Sequence, residues 1–109
     1  EEVSLVKFVK HKGGTKDRSC RKCRSWIRHW EFLSSEIRDK CSRYGCSRAA
    51  TDGAHVCVSR TSNQKEYIVP TCSSCNPPYA TFEFRIVKKT RLMPARQCPC
   101  RRRRRSRGR

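Results

Sequence analysis

The chain has 109 residues, with 27 Lys or Arg, 9 Asp or Glu and 9 Cys, for a net charge of +18. That length holds one domain, and its 18 Leu, Ile, Val and Phe residues are too few to offset chain entropy by apolar burial alone. No stretch nears the roughly 18 apolar residues of a membrane helix, and residues 1–12 lack a signal peptide's charged start, apolar run and cleavage site.

In chain order, residues 3–9 favour a short strand. Residues 11–19 are rich in Gly and Lys and read as a loop, in which His11 is a solvated histidine among lysines. Cys20 and Cys23 form a C-x2-C pair. A helix begins after Ser25, a good N-cap. Trp26, Trp30, Leu33 and Ile37 recur at i, i+4, i+7 and i+11, Ile27 broadens that stripe, and Arg38 and Lys40 suit the C-terminal end. A chain with so few large apolar residues needs both tryptophans in its core. His29 falls off the stripe and reads as a surface histidine.

Cys41 and Cys46 then enclose Ser42-Arg43-Tyr44-Gly45, where Gly45 permits a tight turn. Residues 54–58 and 65–69 read as paired strands joined by a polar connection, residues 59–64. His55 and Cys57 share one face of their strand, and Cys57 reads as a plain buried thiol. Pro70 ends the second strand before the C-x2-C of Cys72 and Cys75. Asn76, Pro77 and Pro78 discourage a long helix. Phe82, Phe84 and Ile86 alternate with Glu83, Arg85 and Val87 in a third strand, and residues 92–96 form a loop leading to Cys98 and Cys100.

Eight of the cysteines therefore fall in four close pairs. Two such pairs can turn four thiolates onto one tetrahedral zinc ion, whereas disulfides within pairs would close tiny loops with little entropic benefit. The first site is expected from Cys41, Cys46, Cys72 and Cys75, and a second from Cys20, Cys23, Cys98 and Cys100. For the second set, disulfides between pairs remain an alternative to zinc.

Residues 41–76 run knuckle, hairpin, C-x2-C, an order that resembles a treble-clef zinc finger. More narrowly, Asp52-Gly53-Ala54-His55-Val56 and Tyr67-Ile68-Val69-Pro70-Thr71-Cys72-Ser73-Ser74-Cys75-Asn76 resemble the two halves of the HNH (ββα-metal) nuclease motif. A wider likeness, over about residues 20–98, is to small uncharacterised HNH-like proteins. These share the Ser-Trp-x-x-His-Trp of residues 25–30, the Gly-Ala-His-Val of residues 53–56, the Cys-x-x-Cys-Asn of residues 72–76 and the Leu-x-Pro-Ala of residues 92–95.

The resemblance implies a small α+β zinc-stabilised domain: a treble-clef/HNH-like β-hairpin, one packed N-terminal helix and short extra strands. It implies that His55 stands where an HNH enzyme keeps its general base, and Asn76 where it keeps its last metal-binding residue, with Mg or Mn at the phosphate. Ala54 stands where a metal ligand commonly precedes the base, and Tyr67 where an Asn steadies it. Three roles are open to His55: base, zinc ligand, or hydrogen-bond partner of the knuckle.

Residues 1–19 are expected as a strand and basic loop, 20–100 as the zinc domain and 101–109 as a disordered Arg-rich tail. The tail residues Arg101, Arg102, Arg103, Arg104, Arg105, Arg107 and Arg109 carry +7, leaving +11 on the body. Such charge fits DNA or RNA first and an anionic membrane second. The expected function is a zinc-stabilised basic nucleic-acid-binding protein without catalysis, intracellular and nuclear if eukaryotic. The alternatives are a divergent HNH endonuclease, and a secreted, disulfide-stapled cationic effector acting on anionic membranes.

Overall fold

The computed structural model describes residues 7–11, 20, 22–59, 65–77 and 82–96. They form a small α+β unit: strand β1 (Lys7–His11), helix α1 (Trp26–Ser34), strands β2 (Asp52–Val58) and β3 (Tyr67–Thr71), a 3-10 turn (Ser73–Cys75), and strands β4 (Glu83–Ile86) and β5 (Met93–Pro94). The strands make one five-stranded sheet in the order β4-β1-β2-β3-β5, antiparallel throughout.

Side chains alternate across a strand, so each face takes every second residue. One face gathers Val9, Ala54, Val56, Val69, Phe84 and Ile86. No described helix covers this cluster. Instead the chain at residues 42–44 spans from β3 to β4. Ser42 N–H donates to the Pro70 carbonyl, Val87 N–H donates to the Ser42 carbonyl, and Tyr44 N–H donates to the Arg85 carbonyl, each at 2.8 Å. The sheet thereby curls around its own apolar residues.

The opposite face carries α1, where Trp26 and Trp30 pack with Cys20 and Ile68. Both tryptophans are core residues, as their scarcity demands, and Trp30 Nε1 donates to the Arg91 carbonyl at 2.8 Å. Gly53 sets the approach of helix to sheet. A Cβ there would lie 2.5 Å from the Trp26 carbonyl carbon and 2.6 Å from the Ile27 nitrogen.

Ser25 caps α1 as expected, its side chain accepting from Arg28 N–H at 3.2 Å. The helix ends sooner than the stripe suggests. Ser35 turns left-handed, with φ 61°, and its N–H closes onto the Glu31 carbonyl. Leu33 is therefore partly exposed and Ile37 is 87% exposed. Arg38 does not sit in a last helical turn; its N–H and guanidinium both bind the Glu31 carboxylate.

Three further expectations are corrected. β1 extends to His11, which is buried rather than solvated. Pro70 lies within β3, opposite Gly53, instead of ending it. Its carbonyl points away from β2 to Ser42, so its missing N–H faces that outer side and breaks no β2 bond. Residues 93–94 leave the expected loop and add a short strand to β3. After the 3-10 turn, Asn76 and Pro77 continue without helix.

Candidate metal centres and the basic surface

The first cysteine pair sits on a small hairpin. Lys40 bridges to Ala49, and Cys41 N–H donates to the Arg48 carbonyl at 2.8 Å. At its tip Gly45 adopts φ +87°, in the left-handed region that glycine enters without steric cost, and Cys46 N–H returns to the Arg43 carbonyl. The second pair flanks the 3-10 turn, closed by Cys75 N–H to the Cys72 carbonyl at 3.1 Å.

These turns bring the sulfurs of Cys41, Cys46, Cys72 and Cys75 within 4.8 Å of one another, with Cys46 and Cys72 at 3.9 Å. Four thiolates at zinc's 2.3 Å bond length would be about 3.8 Å apart, so the set closes on an ion with little movement. Cys41, Cys72 and Cys75 are buried. Burial pushes the Cys41 thiol up to about 12, against backbone N–H groups of Arg43 and Cys72 aimed at its sulfur. Burial also raises Cys75, helped by the Cys72 thiol and opposed by Arg43. Burial works to raise Cys72 as well, but hydrogen bonds from Cys75 hold it below its ordinary value. Burial thus resists ionisation of Cys41 and Cys75, and a divalent cation is a charge that would offset it. A set of four cysteine sulfurs suits zinc.

His11 braces this set from the apolar face. Its Nε2 donates to the Cys75 carbonyl at 2.8 Å, and its ring packs against both Phe82 and Phe84, with centroids 4.7 and 4.9 Å away. Burial lowers its pKa, aided by Arg43 and opposed by the bond to Cys75. Its sequence neighbourhood of lysines and glycines hid this role.

A second group lies across the sheet. Cys20, Cys23 and His29 present ligand atoms within 4.8 Å of one another. His29 is 0% exposed, not on the surface as its place off the stripe suggested. Helix α1 presents it toward β5, where its Nε2 donates to the Pro94 carbonyl at 2.7 Å. Its Nδ1 is 4.0 Å from the Cys23 sulfur. Cys98 and Cys100, expected to complete this site, lie outside the described residues, as do the arginines of residues 101–109. No disulfide joins the described cysteines to one another. Cys57 is half-buried, not fully buried, because its strand end lies opposite Lys10 beyond the cover of α1.

His55 and Asn76 are not brought together. His55 is 3% exposed beneath α1, edge-on to the Trp26 ring, with Nδ1 3.2 Å from the Glu66 carboxylate. Asn76 donates through Nδ2 to the Asp52 carboxylate at 3.2 Å, and Asp52 alternates with His55 onto the other side of β2.

The knuckle's outer surface is cationic and aromatic. Tyr44 is 58% exposed, and the Arg85 guanidinium lies 3.8 Å from its ring centroid. Arg43 lies over the Phe82 ring at 5.4 Å. Beside them is a shallow depression of about 350 Å³ lined by Arg43, Tyr44, Gly45, Ser47 and Arg48. No described helix is long and apolar enough to cross a membrane.

Comparison with protein families, curated proteins and solved structures finds no significant match to this chain.

Proposed function

We propose that this chain is a zinc-stabilised, basic nucleic-acid-binding protein of treble-clef, HNH-like type that does not cleave its partner. The observation that carries this is the knuckle surface. Tyr44 offers an exposed ring face for stacking against a base, and Arg43, Arg48 and Arg85 surround it with planar donors for phosphate. The body's +11 and the tail's +7 add sequence-independent attraction.

Two features support binding without cleavage. A general base must reach a water at the phosphate, whereas His55 is buried under Trp26. Asn76, the other HNH-like position, is tied to Asp52 on the far side of the strand. A membrane-active, disulfide-stapled effector is disfavoured because Cys41, Cys46, Cys72 and Cys75 converge on one point and no disulfide joins the described cysteines.

The test is fluorescence anisotropy with a labelled single-stranded oligonucleotide at several salt concentrations. The seven tail arginines should add about −5 to the slope of log K against log salt on this single strand. Tyr44→Ala should weaken binding by about 1–3 kcal/mol with little change of slope, because stacking releases no counterion. Equal binding by wild type and Tyr44→Ala would remove this surface from the interface. Metal-dependent plasmid nicking by wild type that His55→Ala abolishes would replace binding with nuclease function.

A further inference from the structure

We propose that Cys20, Cys23 and the Nδ1 nitrogen of His29 bind a second zinc ion, so that this site is a mixed sulfur–nitrogen centre and not an all-cysteine one.

The hydrogen bond on the far side of the imidazole carries the inference. A carbonyl oxygen only accepts, so the 2.7 Å contact with Pro94 requires the proton on Nε2. In the neutral ring that leaves a lone pair on Nδ1, and Nδ1 is the nitrogen that faces Cys23. Metal-binding histidines characteristically donate their other ring nitrogen to a carbonyl or carboxylate, which fixes the tautomer and the ring's direction. A thiol–imidazole hydrogen bond accounts poorly for a separation of 4.0 Å. Two atoms bound to one zinc, at about 2.0 Å for nitrogen and 2.3 Å for sulfur, would lie about 3.6 Å apart, a small contraction from the observed spacing.

The surroundings are built for the same end. The ring of Trp26 meets His29 edge-on, with centroids 4.9 Å apart, and limits its rotation. Cys20 and His29 are both fully buried. The chain beyond Cys23 turns at Arg24, whose φ of 74° is uncommon for a residue with a side chain, and Arg24 N–H closes onto the Cys20 carbonyl at 2.7 Å. That turn parallels the one at Gly45 beside Cys46, though here no glycine lowers its cost.

A tetrahedral ion takes four ligands, so these three leave one position open. Such an ion would fasten the start of α1 to β5 through His29 and Pro94, adding support to a helix of only nine residues.

The test loads the full chain with cadmium in place of zinc and records cadmium and nitrogen NMR. Two ions per chain are expected. One resonance should sit at the four-thiolate position, and the other upfield of it, correlated with the ring protons of a histidine. His29→Asn should lower metal content from two ions to one and remove that correlation, leaving the four-thiolate resonance. If the variant does not fold, the wild-type ring decides: a protonated Nε2 with a metal-coupled Nδ1 supports the site. A protonated Nδ1, a single ion per chain, or two four-thiolate resonances without a histidine correlation would overturn it.

Discussion

The two faces of the sheet carry matching parts put to different uses. On each, cysteines gather beside a buried histidine, and each histidine donates Nε2–H to a main-chain carbonyl, His11 to Cys75 and His29 to Pro94. The difference lies at the other ring nitrogen. His11 is walled in by Phe82 and Phe84, beside a set of cysteines that already has four sulfurs. His29 points Nδ1 at a set with only two described cysteines. One histidine braces a cysteine's backbone, and the other turns a nitrogen toward a cysteine sulfur. The same hydrogen bond serves both, so the role of a buried histidine follows from what its second nitrogen meets.

Removing metal should break this comparison most completely. A structural zinc site contributes about 10–16 kcal/mol, comparable to or above the whole stability of a small domain. Chelator treatment, or Cys72→Ser, should abolish the near-UV circular dichroism of Trp26 and Trp30. An unchanged spectrum and melt would mean that apolar burial alone holds both faces.

The helical face can then be disturbed by itself. Gly53→Ala drives a methyl group into the backbone of α1 and should cost about 1–3 kcal/mol in denaturant unfolding of the metal-loaded protein. At Gly45, where a Cβ meets nothing, alanine should cost roughly 1–2 kcal/mol from its left-handed backbone alone. Equal metal loading of the two variants, with loosened tryptophan packing only in Gly53→Ala, would sharpen the distinction.

His11→Phe removes the donor to Cys75 while keeping a ring against Phe82 and Phe84. Outer-shell partners of this kind are typically worth about tenfold or more in metal affinity, so competition with a chromophoric chelator should show that loss at the four-cysteine site. Loss at the His29 site instead would reverse the assignment of the two histidines.

The smallest effect is expected at Glu31. Arg38 hydrogen bonds hold its carboxyl below the ordinary value of 4.5. A depressed folded value stabilises the fold above that ordinary value, and the benefit is lost as pH falls through the depressed one. Glu31→Gln should therefore cost about 0.2–1 kcal/mol at neutral pH, with the difference from wild type vanishing in acid. A variant as stable as wild type at neutral pH would show that the ion pair holds the residues after α1 without stabilising the fold.

Much of the fold was legible along the chain. The N-cap at Ser25, the core role of Trp26 and Trp30, the pairing of β2 with β3 and the alternation of Phe84 and Ile86 are local patterns, and local patterns survive folding. The four-cysteine site was legible too, because close cysteine pairs have few other uses. The helix end was not, since Ile37 continues the stripe while Ser35 breaks the backbone. Pro70 misled because a proline's effect depends on which side its missing N–H faces. Gly53 carried no mark of the helix pressed against it. For His29, the helical period gave the wrong signal: a position off the apolar stripe is solvated only if nothing else packs there.

By itself, then, the sequence determined the shortage of apolar residues and the surplus of paired cysteines. A chain of 109 residues with 18 large aliphatic or Phe residues and 9 cysteines must fold around something other than a large core. Tertiary structure alone decided which polar groups entered the interior. His11 and His29 are buried because carbonyls 64 and 65 residues away are placed to accept their protons. Such partners are set by strand order and helix docking, which composition and spacing do not encode locally.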